Sequence, residues 1–179
     1  MSPILLLAAL AAAPASGAGR TCPDELFRIE RSKNANVIVY ELQRGPGGEV
    51  DRAQPVRASW IMLASHGERE DLNLLERTMA YGFEVEDAAP RPGWILRLKA
   101  EKKRPISVRE VEGCLYAMAV IGGSEGALKR IYVKADDRTL IPTVAWVDVF
   151  GVDPATGAAR HERIVPEKPP EEQPSWRGP

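Results

Sequence analysis

Apolar and polar residues alternate with a period of two along most of the chain. The alternation is clearest over residues 37–42, 56–63, 94–99 and 143–150. Successive side chains of a β-strand point to opposite faces of a sheet, so this pattern predicts strands with one apolar face. Clusters of Gly, Pro and Asp, such as Gly45–Gly48 and Gly122–Gly126, separate the runs and are typical of hairpin turns. Such short connections predict antiparallel neighbours.

One segment departs from this alternation. Leu72, Leu75 and Met79 recur at intervals of three and four residues, which is the spacing of one face of a helix. Asp71 is suited to cap the first turn, and Gly82 is suited to end the helix in a left-handed conformation. The sequence therefore predicts a single helix of about ten residues, whose apolar stripe covers an open end of the sheet.

These elements together predict a mainly β domain of about nine strands with one short helix. Two architectures fit the pattern, an antiparallel barrel and a two-sheet sandwich. The barrel is favoured because few strands carry the prolines or inward-facing charges that protect exposed sheet edges. The residues that mark possible edge or strand-start positions are Pro55, Pro105 and Pro142.

The beginning of the chain has the composition of a secretory signal peptide. Residues 4–13 are apolar, and small residues occupy most of positions 14–18. The apolar run is too short for a transmembrane helix, which needs about 20 residues. We expect cleavage after Ala18, with Ala15 as the second choice, and therefore a mature protein in the periplasm or the extracellular medium.

The end of the chain differs from the domain before it. Residues 166–179 contain five of the fifteen prolines and few apolar side chains, which predicts a disordered Pro-rich tail. The predicted organisation is a signal peptide at residues 1–18, a single β-rich domain at residues 19–165, and this tail.

The chain contains two cysteines, Cys22 and Cys114. Oxidising compartments favour disulfide formation, so an exported protein is expected to pair them. The bond would join the start of the mature chain to a central strand. The alternative is a buried free thiol at Cys114, which lies in an apolar run.

Composition excludes several classes of partner. The formal net charge is −1 at pH 7, whereas a nucleic-acid-binding protein or a polybasic membrane-surface protein needs a large basic excess. The two histidines have no neighbouring His or Cys at the spacing of a zinc site. We therefore expect no nucleic acid, metal or cofactor, and no transmembrane segment in the mature chain.

Gly122–Gly126 spells the Gly-x-Ser-x-Gly motif, and Asp148 and His161 follow in the order used by α/β-hydrolases. A nucleophile elbow requires a helix directly after the serine in a parallel sheet. Residues 129–134 instead alternate as a strand. The sequence therefore favours a hairpin turn at Ser124, and it leaves the catalytic residues of any enzyme unassigned.

A polar turn near the first predicted strand is the leading candidate for a ligand site. Asn34 and Asn36 can cap the turn, but this role does not account for Arg31 and Lys33 beside them. With Lys134 from another strand, these five residues could bind a carboxylate, phosphate or sulfate. In the structural alternative, Arg31 pairs with a neighbouring carboxylate and fixes the turn. The possible partners are Glu30, Glu41 and Glu76.

The run over residues 26–41, together with Trp60 and the segments 72–82 and 131–135, resembles a bacterial exported family known as domain of unknown function 4833. The resemblance covers about residues 26–165 and implies no established activity, ligand or catalytic residue. We expect a secreted or periplasmic binding or interaction module for an anionic or amphipathic ligand, held between the barrel mouth and the helix. The alternatives are an enzyme of unidentified activity, such as a hydrolase, and a structural component of the cell envelope with a protein partner.

Overall fold

A computed structural model describes residues 22–136 and 143–166 of the protein. Within these residues, eleven strands belong to one sheet. The strands are β1 (Glu25–Arg31), β2 (Asn34–Leu42), β3 (Val56–Met62), β4 (Glu68–Asp71), β5 (Phe83–Asp87), β6 (Trp94–Leu98), β7 (Glu101–Val111), β8 (Cys114–Ile121), β9 (Ser124–Asp136), β10 (Thr143–Val152) and β11 (Ala159–Ile164). Two short helical turns, Leu63–Ser65 and Glu76–Ala80, interrupt them.

The strand order is β4-β3-β2-β1-β9-β8-β7-β6-β5, and β10 pairs with both β9 and β11. All neighbouring strands are antiparallel except β1 and β9, which run parallel from Arg28 and Arg130 to Arg31 and Val133. Parallel neighbours need a long connection, and here the strands from β2 to β8 supply it.

The sheet branches at β9. Ala127 pairs with β8 on one side and with β10 on the other. Three residues later, Arg130 pairs with Arg28 of β1 and with Phe150 of β10. β10 therefore follows one edge of β9, while β8 and β1 share the opposite edge. The result is a single sheet curled into a half-barrel. The predicted mainly β class is confirmed, with more strands than the nine expected.

The concave face of the half-barrel carries the core. Phe27 and Tyr40 stack with 4.4 Å between ring centroids, and Phe83 meets Tyr40 edge-on at 5.7 Å. Because β2 and β5 belong to opposite arms of the strand order, these rings join the two arms across the interior. Further buried residues of this core are Ile29, Ile38, Leu96, Ile106, Val108 and Leu128.

The predicted ten-residue helix is wrong in length. The structure has a five-residue π-helical turn, Glu76–Ala80. Asn73 caps this turn, because its N–H donates to the Glu76 carboxylate and its Oδ1 accepts from the Glu76 N–H, each at 2.9 Å. The expected cap, Asp71, instead ends β4.

The expected apolar stripe and left-handed glycine are also corrected. Leu72, which precedes the turn, is buried, but Leu75 and Met79 are 66% and 65% exposed, and no residue of the turn itself is buried. Gly82 has no positive φ. Its lack of a side chain serves a close approach, since a Cβ there would collide with the carbonyl oxygen of Arg77.

Cys22 and Cys114 form a disulfide with 5.4 Å between Cα atoms, which confirms the predicted pairing. Cys114 is buried at the start of β8, so the bond fixes the beginning of the described domain to the sheet. Within the described ranges, no helix has the length and apolar character needed to cross a membrane. The predicted signal peptide, and the predicted tail beyond residue 166, lie outside the described residues.

Candidate functional site

The outer face of β9, β10 and β11 carries an array of charged and aromatic side chains. Val147 and Val149 of β10 pack toward the core. Alternate residues of a strand point to opposite faces, so the residues between and beside these valines point outward. The array, called here the Asp148 cluster, consists of Arg130, Lys134, Trp146, Asp148, Phe150, His161 and Arg163.

Asp148 is the centre of the cluster and is only 4% exposed. Arg163 binds it in a bidentate manner, with Nε 2.8 Å from Oδ1 and Nη2 2.7 Å from Oδ2. Trp146 Nε1 donates to Oδ2 at 3.2 Å, and His161 Nε2 lies 2.9 Å from Oδ1. The hydrogen bonds from Arg163 hold the pKa of Asp148 well below its usual range despite its burial, and those from His161 and Trp146 act in the same direction.

The ionised state of Asp148 fixes the hydrogen position on His161. A carboxylate has no proton to donate, so the hydrogen between the two residues belongs to His161 Nε2. His161 is 51% exposed at its side chain, and its ring stacks on Phe150 with 4.7 Å between centroids.

The basic side chains of the cluster lie on aromatic rings. The Arg163 guanidinium is 5.0 Å from the centroid of Trp146, and Lys134 Nζ is 5.9 Å from the same centroid. The Arg130 guanidinium lies 4.2 Å from the centroid of Phe150. These distances are within the range of cation–π attraction, so the rings support the cationic groups at the surface.

The cluster has a local surplus of positive charge. It contains three permanent cations, Arg130, Lys134 and Arg163, against the single carboxylate of Asp148. Glu30 of β1 adds a longer ion pair to Arg130, with 3.4 Å between nitrogen and oxygen. The whole chain carries a net charge of −1, so the single positive charge that remains when Glu30 is counted is local to this cluster.

The polar turn predicted as a ligand site forms the connection between β1 and β2. Lys33 adopts a left-handed conformation in it, with a φ of 63°. Asn34 Oδ1 accepts a hydrogen bond from the Asn36 N–H at 2.9 Å, which is the capping role expected of an asparagine. Asn36 Oδ1 is buried with no hydrogen-bond partner among the described residues. An oxygen acceptor suits a donor group better than an anion.

Arg31 binds a neutral partner in the structure. Its Nη1 donates to the Tyr81 hydroxyl at 3.0 Å. The carboxylate partner named in the structural alternative is therefore wrong, because Glu30, Glu41 and Glu76 bind other groups. Arg31 thus joins the β1–β2 turn to the segment before β5.

The structure places Arg31 and Lys134 on different faces of the sheet. Arg31 is in register with Val133, whose side chain packs against the core. Lys134 follows Val133, so its side chain points to the outer face. Two hydrogen bonds of Ser32 join the turn to β9. Its N–H donates to the Val133 carbonyl and its Oγ accepts from the N–H of Ala135, both at 3.0 Å. Of the predicted ligand residues, Lys134 alone belongs to the Asp148 cluster.

The profile of the family described as Domain of unknown function (DUF4833) matches residues 27–163, from β1 into β11. The chain is a member of the DUF4833 family. The resemblance expected from the sequence is therefore confirmed. No curated protein and no solved structure shows significant similarity to the chain. Because the family description names no activity, the function of this DUF4833 protein has to be argued from its site.

The structure confirms the hairpin expected at Ser124. Gly122 and Gly123 form the turn between β8 and β9 with φ values of 60° and 80°, and Ser124 opens β9 in register with Ile121. Such a pair of positive φ angles is typical of a tight hairpin turn. Asp148 and His161 do meet, but in the described part of the chain Ser124 makes no hydrogen bond to either residue.

Proposed function

We propose that this DUF4833 domain is a binding module that holds an anionic group of a small ligand on the Asp148 cluster. The observation that supports the proposal is the surplus of cations on aromatic rings in a chain whose net charge is negative. Charge-assisted hydrogen bonds are about twice as strong as neutral ones, so an anion gains most from such a surface.

The proposed contacts follow from the groups that each cation already contacts in the structure. Arg163 directs both Nε and Nη2 to Asp148, which leaves Nη1 for another acceptor. Lys134 rests on Trp146 at one end of the row, and Arg130 rests on Phe150 at the other end. An amphipathic anion fits this row, because its charge meets the cations while its apolar part meets the exposed edges of the rings.

We propose a location outside the cytoplasm for this module. The Cys22–Cys114 disulfide supports the proposal, since such bonds persist in oxidising compartments and are rare in reducing ones.

Isothermal titration calorimetry with naphthalene-2-sulfonate tests the binding site, and the neutral naphthalene-2-sulfonamide serves as the uncharged analogue. The test variant is the double substitution Arg130→Ala and Lys134→Ala. Its matched control is Lys102→Ala with Lys103→Ala, which removes the same charge from β7. We expect the test variant to bind the sulfonate at least tenfold more weakly, which corresponds to about 1.4 kcal/mol.

The control variant should keep the affinity of the unsubstituted protein within about twofold, because long-range charge effects are screened at physiological ionic strength. Equal loss in both variants, or equal binding of the sulfonate and the sulfonamide, would contradict the proposed site.

A further inference from the structure

A second concave surface lies at one end of the half-barrel interior. It is a cleft of about 610 Å³ between the β5–β6 loop and the neighbouring end of the sheet, and Trp94 and Arg52 line it. A cavity of about 580 Å³ against the β2–β3 loop is lined by the same two residues, so the two volumes adjoin. Each is in the size range of small-molecule sites, roughly 300–1,000 Å³. We call this surface the Trp94 cleft.

One wall of the Trp94 cleft is held by hydrogen bonds within the β2–β3 loop. The Asp51 N–H donates to the Gln43 carbonyl at 2.8 Å. The Asp51 carboxylate accepts from the N–H groups of Ala53 and Gln54, at 2.8 and 3.3 Å. These contacts fix the backbone on both sides of Arg52, so the wall is formed without a ligand.

The opposite wall is the loop between β5 and β6. The Ala88 N–H donates to the Gly93 carbonyl at 3.1 Å, and the Arg91 N–H donates to the Ala88 carbonyl at 3.0 Å. Gly93 has a φ of 125° and passes so close to Val108 that a Cβ would collide with the Val108 carbonyl oxygen. A glycine is therefore required for this loop to reach its position beside Trp94.

The arginines of the Trp94 cleft differ from most other arginines of the domain. Most other arginines make ion pairs, as Arg44 does with Asp24 at 2.7 Å. The cleft contains two basic and three acidic side chains, all exposed, that make no hydrogen bond or ion pair within the described residues. These side chains are Glu49, Arg52, Asp87, Arg91 and Glu110.

The geometry points to an acidic sugar, a pyranose ring bearing a carboxylate, as the ligand of the Trp94 cleft. The apolar face of such a ring can pack on the half-buried indole of Trp94. Its carboxylate can form a bidentate pair with Arg52 or Arg91. Its hydroxyls both donate and accept, so they can satisfy the carboxylates of Asp87 and Glu110 as well as the guanidinium groups.

The carboxylates of the cleft decide between a sugar acid and other ring-shaped acids. A simple aromatic carboxylate has no hydrogen to donate to Asp87 or Glu110. A neutral sugar can donate to these residues but has no charge for Arg52 and Arg91. Unpaired arginines and unpaired carboxylates therefore surround the Trp94 ring, and a polyhydroxylated anion can bind both kinds of group. This inference does not depend on the Asp148 cluster.

The test is a titration of the ¹⁵N-labelled protein with D-glucuronate, D-glucose and benzoate, followed through the indole N–H signals. Trp94→Phe and Trp146→Phe assign the two relevant signals. We expect glucuronate to shift the Trp94 signal, and glucose and benzoate to bind at least tenfold more weakly. Arg52→Ala combined with Arg91→Ala should weaken glucuronate binding at least tenfold, whereas Arg57→Ala, an exposed arginine outside the cleft, should change it by less than about twofold.

Three outcomes would overturn the inference. One is a glucuronate titration, up to millimolar concentration, that leaves the Trp94 signal unmoved in the folded protein. Another is benzoate binding as tightly as glucuronate. The third is a shift of the Trp146 signal alone, which would assign the sugar acid to the Asp148 cluster and leave the proposed anion binding there intact.

Discussion

Tyr40 donates its hydroxyl hydrogen to the backbone carbonyl of Tyr81, with 2.7 Å between the two oxygens, inside the half-barrel. Burial raises the pKa of Tyr40 far above its ordinary value, so the hydroxyl remains a donor under all ordinary conditions. Tyr40 lies on β2 and Tyr81 immediately precedes Gly82 and β5. The hydrogen bond therefore joins the two arms of the curled sheet at the point where the core rings meet.

Tyr40→Phe should lower the free energy of unfolding by about 1–3 kcal/mol, because it leaves the buried Tyr81 carbonyl without its donor while the ring stack on Phe27 persists. Tyr116→Phe is the matched control, since its hydroxyl makes no hydrogen bond within the described ranges. Urea unfolding measures both variants. Equal stability of Tyr40→Phe and the unsubstituted protein would show that the bond contributes nothing.

The contact between Arg31 and Tyr81 separates the polar turn from the proposed anion site. Arg31→Ala should lower stability by about 1 kcal/mol, because it removes a hydrogen bond between the turn and the segment before β5. Its affinity for naphthalene-2-sulfonate should be unchanged, because Arg31 and Lys134 lie on different faces of the sheet. A loss of sulfonate affinity at constant stability would instead assign the anion to the turn.

How much of the fold could be predicted from the sequence depends on how far apart along the chain the interacting residues lie. Alternation predicted the strands because side-chain direction is a local property, and the hairpin at Gly122 and Gly123 was visible for the same reason. The parallel contact of β1 with β9 has no local signal, since about 100 residues separate Arg28 from Arg130.

The same limit applies to the helix and to the site. Spacing alone indicated an apolar stripe, but it does not show that Leu75 and Met79 face solvent, which depends on where the chain leaves β4. Lys134 was identified from its charge. Asp148 and His161 were noticed only through a serine-hydrolase order, because their shared role requires the β10–β11 pairing that brings Arg163 opposite Asp148.

The Asp148 cluster should make stability depend on acidity. The folded pKa of Asp148 lies below its unfolded value, which is about 3.9, so its ionised form stabilises the fold above that pH. This stabilisation is lost as the pH falls from about 4 toward the folded pKa, because the unfolded chain binds a proton first. Asp148→Asn should therefore be less stable at pH 7 and should lose less stability between pH 5 and pH 2.

Urea unfolding at several pH values measures this effect. Glu110→Gln is the control, because Glu110 makes no hydrogen bond or ion pair within the described residues, and its profile should follow that of the unsubstituted protein. Parallel profiles for Asp148→Asn and the unsubstituted protein would show that other groups determine the acid response.

The disulfide should contribute a large part of the stability. Cys22 and Cys114 are 92 residues apart, and the chain-entropy model assigns a loop of this length roughly 4–5 kcal/mol. Replacing both cysteines with alanine should lower the unfolding midpoint accordingly, and dithiothreitol should then have no further effect. Mass analysis of the oxidised protein should show a chain two hydrogen atoms lighter than its reduced form. Two alkylatable thiols in oxidised protein would contradict the bond.

Ser124 provides the test of the serine-hydrolase interpretation. Its hydroxyl has no general base, since within the described residues Ser124, directly after the Gly122–Gly123 turn, makes no hydrogen bond to His161. Ser124→Ala should therefore change stability by less than about 0.5 kcal/mol, and a fluorophosphonate probe should not label the protein.

Gly123→Ala is the contrasting variant, because a left-handed φ of 80° costs a residue with a Cβ about 1 kcal/mol or more. If the turn is only structural, the glycine substitution damages the protein and the serine substitution does not. Labelling that disappears in Ser124→Ala would reverse this conclusion and make the turn a catalytic element.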